Sequence, residues 1–268
     1  MVIIPSKGRS TTIRTHKLFP NAKIVVHNEI EAASYRANPH LSNEIIVSNT
    51  PLGVSYQRQW IIDNLVPRGE WFVTADDNIE YCTAVPKLSY EAGKCDDRDQ
   101  FASVSSLEYM NWVISDTIAE ADKIGANYCG FAVVDNYYFR TKKFRYVGYV
   151  ISKLAMIKNV GVPYDSRIQA MDDYGYTAEN LLRYGKVLIN NFLFPIAKHY
   201  EAGGIGTYEE RMPKKQHDCR YLMMKYPELF RYKTKAGCDP KSEIQVRFTT
   251  LKQVADWRKK MFASGGRI

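Results

Sequence analysis

The sequence has few of the features that mark secreted or membrane proteins. Its 268 residues include five cysteines, an odd number, and no two of them are spaced as Cys-x-x-Cys. This argues against a disulfide framework and a cysteine zinc site, and it is typical of free thiols in a reducing compartment. No apolar run approaches the roughly 20 residues that span a bilayer, and the first residues lack the regions of a signal peptide. We expect an intracellular, cytoplasmic protein with no membrane partner.

Several motifs of common enzyme classes are also missing. No Gly-x-Gly-x-x-Gly follows a predicted strand, which argues against a dinucleotide oxidoreductase, and there is no Walker A or His-Glu-x-x-His motif. The Gly-x-Ser-x-Gly elbow of α/β hydrolases is absent as well. Hydrophobic residues make up 45% and charged residues 25% of the chain. These are ordinary globular values, so we expect one large domain or one domain with a small appendage.

The charge is unbalanced toward cations. Lysine and arginine total 37 against 29 aspartates and glutamates, a net charge of +8. A basic balance favours polyanionic partners such as nucleic acid or nucleotide phosphates, although it also serves solubility.

Short apolar runs alternate with helical stretches in the first half of the chain. Predicted strands cover 2–4, 23–27, 44–47 and 71–74, and predicted helices cover 29–36 and the later part of 51–66. This alternation predicts an α/β fold, a mostly parallel Rossmann-like sheet with helices on both faces. Beyond it we expect an irregular loop over 84–104, helices at 107–124 and 174–184, and strands at 128–134, 144–151 and 187–194.

The composition changes near residue 202. A glycine-rich segment is followed by a basic helical stretch to about residue 226, a strand at 244–249 and a helix at 251–262. We predict a core over 1–202 and a C-terminal basic α/β extension over 203–268 that packs on the core.

Polar residues follow two of the predicted strands. Pro5, Ser6, Lys7 and Arg9 come after the first, and Asp76, Asp77 and Asn78 come after the fourth. Ligands of open α/β sheets bind at the carboxyl ends of strands, so the first group is a candidate nucleotide site. The paired carboxylates suit Mg²⁺ or Mn²⁺ or a nucleotide, although such a pair can also form a turn.

Two later segments add candidate site residues. Asp172 and Asp173 precede a predicted helix, where one of them can cap the helix or act as a general base. His199 follows a buried-looking strand, and its imidazole is either structural or a metal ligand.

These segments, in this order, resemble the nucleotide-sugar half of GT-A glycosyltransferases. Asp76-Asp77-Asn78 stands where that family carries its DXD motif, and the segment 171–188 resembles the family's acidic pair followed by a helix ending in Arg-x-x-Gly. More narrowly, the chain resembles bacteriophage TET-associated glycosyltransferases, which add sugars to 5-hydroxymethylcytosine in DNA.

The resemblance implies a role for each candidate residue. It implies a nucleotide-diphosphate sugar donor such as a UDP-sugar, a divalent metal held by Asp77, Asn78 and His199, and Asp173 as general base with Asp172 beside it. Residues implied to contact the nucleotide sugar are Pro5, Ser6, Lys7, Arg9, Arg58, Asp76, Asp77, Gly203 and Gly204. Asn78 departs from the acidic residue usual at the last DXD position, so the metal is held mainly by Asp77 or is dispensable.

A DNA acceptor would account for the basic balance. Cations interleaved with aromatic residues can neutralise phosphates and fill the space of a flipped base, and the same pattern also fits a solvated helix face. The candidate DNA-binding residues are Lys142, Lys143, Arg145, Arg211, Lys214, Lys215 and Arg220.

Three other interpretations stay open. The same transfer chemistry could act on a protein, lipid or polysaccharide, which would not need the basic stretch. The aspartate clusters could belong to a metal-dependent nuclease, or the chain could be a non-catalytic nucleic-acid-binding module in which the aspartates are dispensable.

Overall fold

The structure is a computed structural model of the chain, and it describes residues 1–95, 102–104, 106–133, 142–197, 204, 206–233 and 243–263. Its strands are β1 Val2–Pro5, β2 Lys23–Val26, β3 Ile45–Val47, β4 Trp71–Ala75, β5 Ile79–Ala84, β6 Ala102–Val104, β7 Tyr128–Phe131, β8 Phe144–Arg145, β9 Leu154–Lys158, β10 Leu188–Asn190, β11 Leu193–Ala197, β12 Phe230–Tyr232 and β13 Ile244–Val246. Its α-helices are α1 Glu29–Arg36, α2 Val54–Asn64, α3 Lys87–Ala92, α4 Leu107–Ile124, α5 Asp172–Tyr184, α6 Tyr208–Lys225 and α7 Leu251–Ala263.

The centre of the fold is an eight-stranded sheet in the order β3-β2-β1-β4-β9-β7-β10-β8. Six strands run in one direction, while β9 and β8 run antiparallel to their neighbours. The chain moves outward from β1 to β3 and then returns to place β4 on the other side of β1. The strand order therefore reverses between β1 and β4, the point where α/β sheets form their ligand crevice.

Helices cover both faces of this sheet, as predicted. Alternate residues of a strand point to opposite faces, and Ile3 and Ile4 accordingly belong to two different buried clusters. The cluster around Ile3 contains residues of α2, α5, α6 and α7, and the cluster around Ile4 contains residues of α1 and α4. The α/β fold class with a mostly parallel sheet is thus confirmed.

The C-terminal segment contributes to the same core as the sheet. Leu222 of α6, Phe230 of β12 and Trp257 of α7 are buried in the cluster that also holds Ile3 and Val25. The division of the chain at residue 202 stays a prediction.

Three of the sequence-based assignments were wrong in detail. The stretch 84–104 is not uniformly irregular, because it contains α3 and β6, although residues 96–101 and 105 lie outside the described residues. The predicted strand 144–151 shortens to β8, since Gly148 has φ +146° and leaves the extended conformation. The predicted strand 187–194 is two strands, β10 and β11, which belong to different sheets.

Candidate functional site

A cavity of about 460 Å³ opens at the carboxyl ends of β1 and β4. It has the size of small-molecule sites, which are commonly 300–1,000 Å³. The loop after β1, the start of α2, the loop after β4, the start of α5 and the start of α6 all border it. The predicted site residues that line it are Pro5, Ser6, Lys7, Arg9, Arg58, Asp76, Asp77, Asn78, Asp172, Asp173, Gly204, Arg211 and Lys214.

A buried network ties the loop after β1 to the loop after β4. Asp77 accepts a hydrogen bond from Ser6 Oγ at 2.6 Å and forms an ion pair with Arg9. The Tyr35 hydroxyl from α1 lies 2.6 Å from Ser6 Oγ and accepts a bond from the Arg9 backbone N–H at 3.0 Å. Burial raises the pKa of Asp77, and Arg9 opposes that shift. Both oxygens of the Asp77 carboxylate are therefore engaged inside the protein.

Arg58 joins two further carboxylates. Its Nη2 lies 2.9 Å from Asp76 Oδ1, and its Nη1 lies 2.9 Å from Asp172 Oδ2. The side chains of Arg58 and Asp172 are 5% and 7% exposed, whereas that of Asp76 is 37% exposed. Burial raises the pKa of Asp76 to about 6, although Arg58 opposes the shift. Arg58 thus lies as a fixed cation between the loop after β4 and the first turn of α5.

Asp173 is the carboxylate with the strongest features of a base. It lies beside Asp172 at the start of α5, accepts the Tyr174 backbone N–H at 2.9 Å, and accepts a hydrogen bond from the Tyr149 hydroxyl. Burial raises its pKa, and the neighbouring charge of Asp172 raises it further. A carboxyl whose pKa is shifted toward neutrality is matched to proton transfer at physiological pH.

Helix α6 is fixed to the loop that precedes this acid pair. The Asp218 carboxylate is fully buried and accepts the backbone N–H groups of Gln169, Ala170 and Met171 at 2.7 to 3.2 Å. Burial raises the pKa of Asp218, and the backbone donors oppose the shift. One carboxylate therefore sets the position of α6 relative to Asp172 and Asp173.

The predicted cations of α6 divide into two groups. Arg211 and Lys214 line the cavity. Lys215 turns instead to Glu243, with Nζ 3.7 Å from the carboxylate, and Arg220 is exposed without lining the cavity.

The other predicted DNA-binding cluster, Lys142, Lys143 and Arg145, lies at the opposite part of the sheet. It is at β8, five strand spacings of about 4.8 Å, or about 24 Å, from β1. Lys143 Nζ lies 2.9 Å from Asp116 and 3.9 Å from the centre of the Tyr90 ring. Lys143 therefore has partners within the protein, and this cluster does not join the cavity.

Two predicted site residues, His199 and Gly203, lie outside the described residues. Gly204 is described, and its backbone N–H donates to the Lys7 carbonyl at 2.9 Å. Sequence reasoning missed Tyr149 and Asp218, which carry no motif. An aspartate within the basic run from Lys214 to Arg220 is the one signal that would have singled out Asp218.

The described donor set does not fit a divalent metal. In the described part of the chain, no group of three or more His, Cys, Asp or Glu side chains is arranged to hold a metal ion. Asp77 is engaged by Arg9 and Ser6, and Asp76 and Asp172 are engaged by Arg58. A metal on these oxygens would lie beside buried guanidinium groups of the same charge.

No protein-family model matches the chain, and no curated protein matches it. Among solved structures, S. aureus TarS 1–349 is similar over 83% of this chain and 64% of its own length, with TM-score 0.44 and 12% identity. A second structure of S. aureus TarS is similar over 83% of this chain and 39% of its own length, with TM-score 0.44 and 11% identity. The chain therefore spans less than two thirds of either, and at this similarity they assign it no activity. Across the described ranges, no helix is both long enough and apolar enough to cross a membrane.

Proposed function

We propose that the chain is a glycosyltransferase that moves a hexose or related sugar from a UDP-sugar to the hydroxyl of 5-hydroxymethylcytosine in DNA. The observation that carries the proposal is the cavity at the switch point between β1 and β4. It gathers the loop after β1, the Asp76-Asp77-Asn78 turn, Arg58 and the acid pair of α5.

The acid pair supplies the chemistry of transfer. Asp173 accepts the proton of the acceptor hydroxyl while that oxygen forms a bond to the anomeric carbon of the sugar. The bond from this carbon to the diphosphate oxygen breaks, and the nucleoside diphosphate leaves. The sugar passes through an oxocarbenium-like state, and a single displacement of this kind inverts the anomeric centre.

The charge of α6 favours a polyanionic acceptor. Arg220 is exposed on α6 outside the cavity, and the whole chain carries +8. Lys and Arg side chains that contact phosphates supply most non-specific affinity for DNA. Because the acids are recessed, the modified cytosine would have to leave the base stack to reach Asp173.

The resemblance also implies Mn²⁺ or Mg²⁺ as cofactor. In GT-A enzymes such an ion would neutralise the leaving diphosphate. Since the donors in the described residues do not fit it, no step of the proposed transfer is assigned to a metal ion.

A transfer assay tests the proposal. Purified protein is incubated with hydroxymethylated or unmodified DNA and a panel of UDP-sugars, and the nucleosides are analysed by mass spectrometry. We expect a sugar-mass increment on the hydroxymethylated DNA that Asp173→Asn abolishes and Asp256→Asn, on the exposed face of α7, preserves.

The other outcomes identify the competing functions. Turnover of the UDP-sugar without labelled DNA would move the acceptor to a protein, lipid or polysaccharide. DNA cleavage without any sugar donor would indicate a nuclease. DNA binding that is unaffected by aspartate substitutions, with no donor turnover, would indicate a non-catalytic binding module.

A further inference from the structure

We infer that the chain binds the diphosphate of its donor without a divalent metal, through Lys7, Arg211 and Lys214. Arg58 and Arg9 take the place of metal ions as the partners of the acidic residues. The inference rests on the proposed function, because it concerns how the donor of that reaction is held.

Three carboxylates of the cavity already have arginine partners. The side chains of Arg9 and Arg58 are each 5% exposed, and together they contact Asp76, Asp77 and Asp172. A metal ion shared by these carboxylates would lie beside a buried guanidinium of like charge, and displacing that guanidinium would leave it without a counter-ion inside the protein. The arginines already provide the positive charge that relieves repulsion among the clustered acids.

The last residue of the Asp76-Asp77-Asn78 turn is neutral. The amide oxygen of Asn78 carries no charge and is a weaker ligand for Mg²⁺ or Mn²⁺ than a carboxylate oxygen. The turn is therefore suited to join the loops after β1 and β4 through Asp77 and Arg9.

Three other cationic side chains lie around the cavity. Lys7 lies on the exposed loop after β1. Arg211 and Lys214 are three residues apart on α6, so their side chains lie on the same face of the helix. All three line the cavity. They approach from two separate elements, as a clamp on a bound diphosphate requires.

The position of the α6 cations is fixed by contacts on the same helix. Asp218 lies seven residues after Arg211, two helical turns along the same face, and it holds the backbone of 169–171. The Arg211 Nε also donates to the Gly206 carbonyl at 2.7 Å. A cation held in place before the reaction stabilises the negative charge that develops on the leaving diphosphate, as a metal ion does in other sites.

Calorimetric titration of the full chain with UDP tests the inference, first in EDTA and then with Mn²⁺. We expect the two dissociation constants to agree within about twofold. Titration with Mn²⁺ alone should show no stoichiometric binding. This comparison uses the unchanged protein, so it does not depend on the folding of any variant.

A double variant tests the cations themselves. Arg211→Ala with Lys214→Ala should weaken UDP binding at least tenfold. Lys252→Ala with Lys259→Ala, on exposed positions of α7 outside the cavity, removes the same charge and should leave the affinity unchanged. The urea midpoints of both variants are compared with that of the unchanged protein.

The outcomes separate the inference from the proposed function. UDP binding that is lost in EDTA and restored by Mn²⁺ would overturn the inference while supporting the donor site. Metal-independent binding that the Arg211 and Lys214 substitutions leave intact would overturn the assignment of those cations. Failure to bind UDP under either condition would reject the UDP-sugar donor of the proposed function, and the inference with it.

Discussion

Asp218 offers the sharpest test of how the site is held together. Its carboxylate is fully buried and accepts three backbone N–H groups, from Gln169, Ala170 and Met171. Asp218→Ala removes the acceptor and leaves these donors without it. We expect this change to destabilise the fold and to displace the acid pair that begins at Asp172.

The size of the effect follows from the burial of the three donors. A buried N–H left without a partner costs about 1–3 kcal/mol, and Met171 is buried. Gln169 is exposed and Ala170 is half-buried, so water can replace part of what they lose. We therefore expect Asp218→Ala to lower the free energy of unfolding by about 3 kcal/mol. Asp218→Asn keeps one acceptor oxygen and should cost about half as much.

Urea unfolding followed by tryptophan fluorescence measures this loss. Asp256→Ala, which removes an exposed carboxylate from α7, is the matched control and should change the free energy by less than about 0.5 kcal/mol. We also expect Asp218→Asn to lower kcat for sugar transfer. An Asp218→Ala protein as stable as the control would refute the claim that this carboxylate anchors the loop.

Two further predictions concern the charged groups of the cavity. The folded pKa of Asp173 is raised by burial and by Asp172, so the folded state binds its proton more tightly and loses stability as the pH rises through that pKa. Asp173→Asn should flatten the pH dependence of urea stability between roughly pH 4 and 7 and lower sugar transfer by at least about 100-fold. A variant whose stability depends on pH as that of the unchanged protein does would contradict this. Arg58→Ala leaves Asp76 and Asp172 without their arginine and should lower the free energy of unfolding by about 3 kcal/mol at pH 8. The loss should be smaller at pH 5, because Asp76 has a pKa of about 6 and is protonated there. Equal losses of free energy at the two pH values would contradict this.

The helices whose ends carry local signals could be predicted from the sequence. Helix α4 begins after Ser106, whose side chain accepts the Tyr109 backbone N–H at 3.3 Å, and ends at Gly125 with φ +72°. Helix α1 begins after Asn28, whose side chain accepts the Glu31 N–H at 2.9 Å. These contacts join residues three apart or fewer, so the sequence contains all that is needed to place them.

Strand β9 shows what local signals do not determine. Leu154–Lys158 is inserted antiparallel between β4 and β7, and the sequence analysis assigned it no strand. Its five residues are apolar enough for a buried strand, but their pairing partners lie far away in the chain. Long-range pairing therefore decided both the existence and the direction of this strand.

The residues of the cavity were predicted better than their partners. The loops after β1 and β4 follow predicted strands, and the switch point brings them together. The ion pairs between them are contacts across the fold, since Arg9 and Asp77 are 68 residues apart. A run of two aspartates looks the same in sequence whether it will face a metal or a buried arginine.

The rotation of α6 about its axis divides the cations of its basic stretch between different surfaces. A count of cations along the sequence treats all four alike. The helix instead turns Arg211 and Lys214 to the cavity, Lys215 to Glu243 and Arg220 to solvent. Asp218 fixes that rotation, because its carboxylate must reach the loop at 169–171. Once it does, Lys214, four residues before Asp218, and Arg211, three residues before Lys214, border the cavity, while Lys215 turns to Glu243. A single buried acid in a basic helix therefore decides which of its cations can take part in the chemistry of the site.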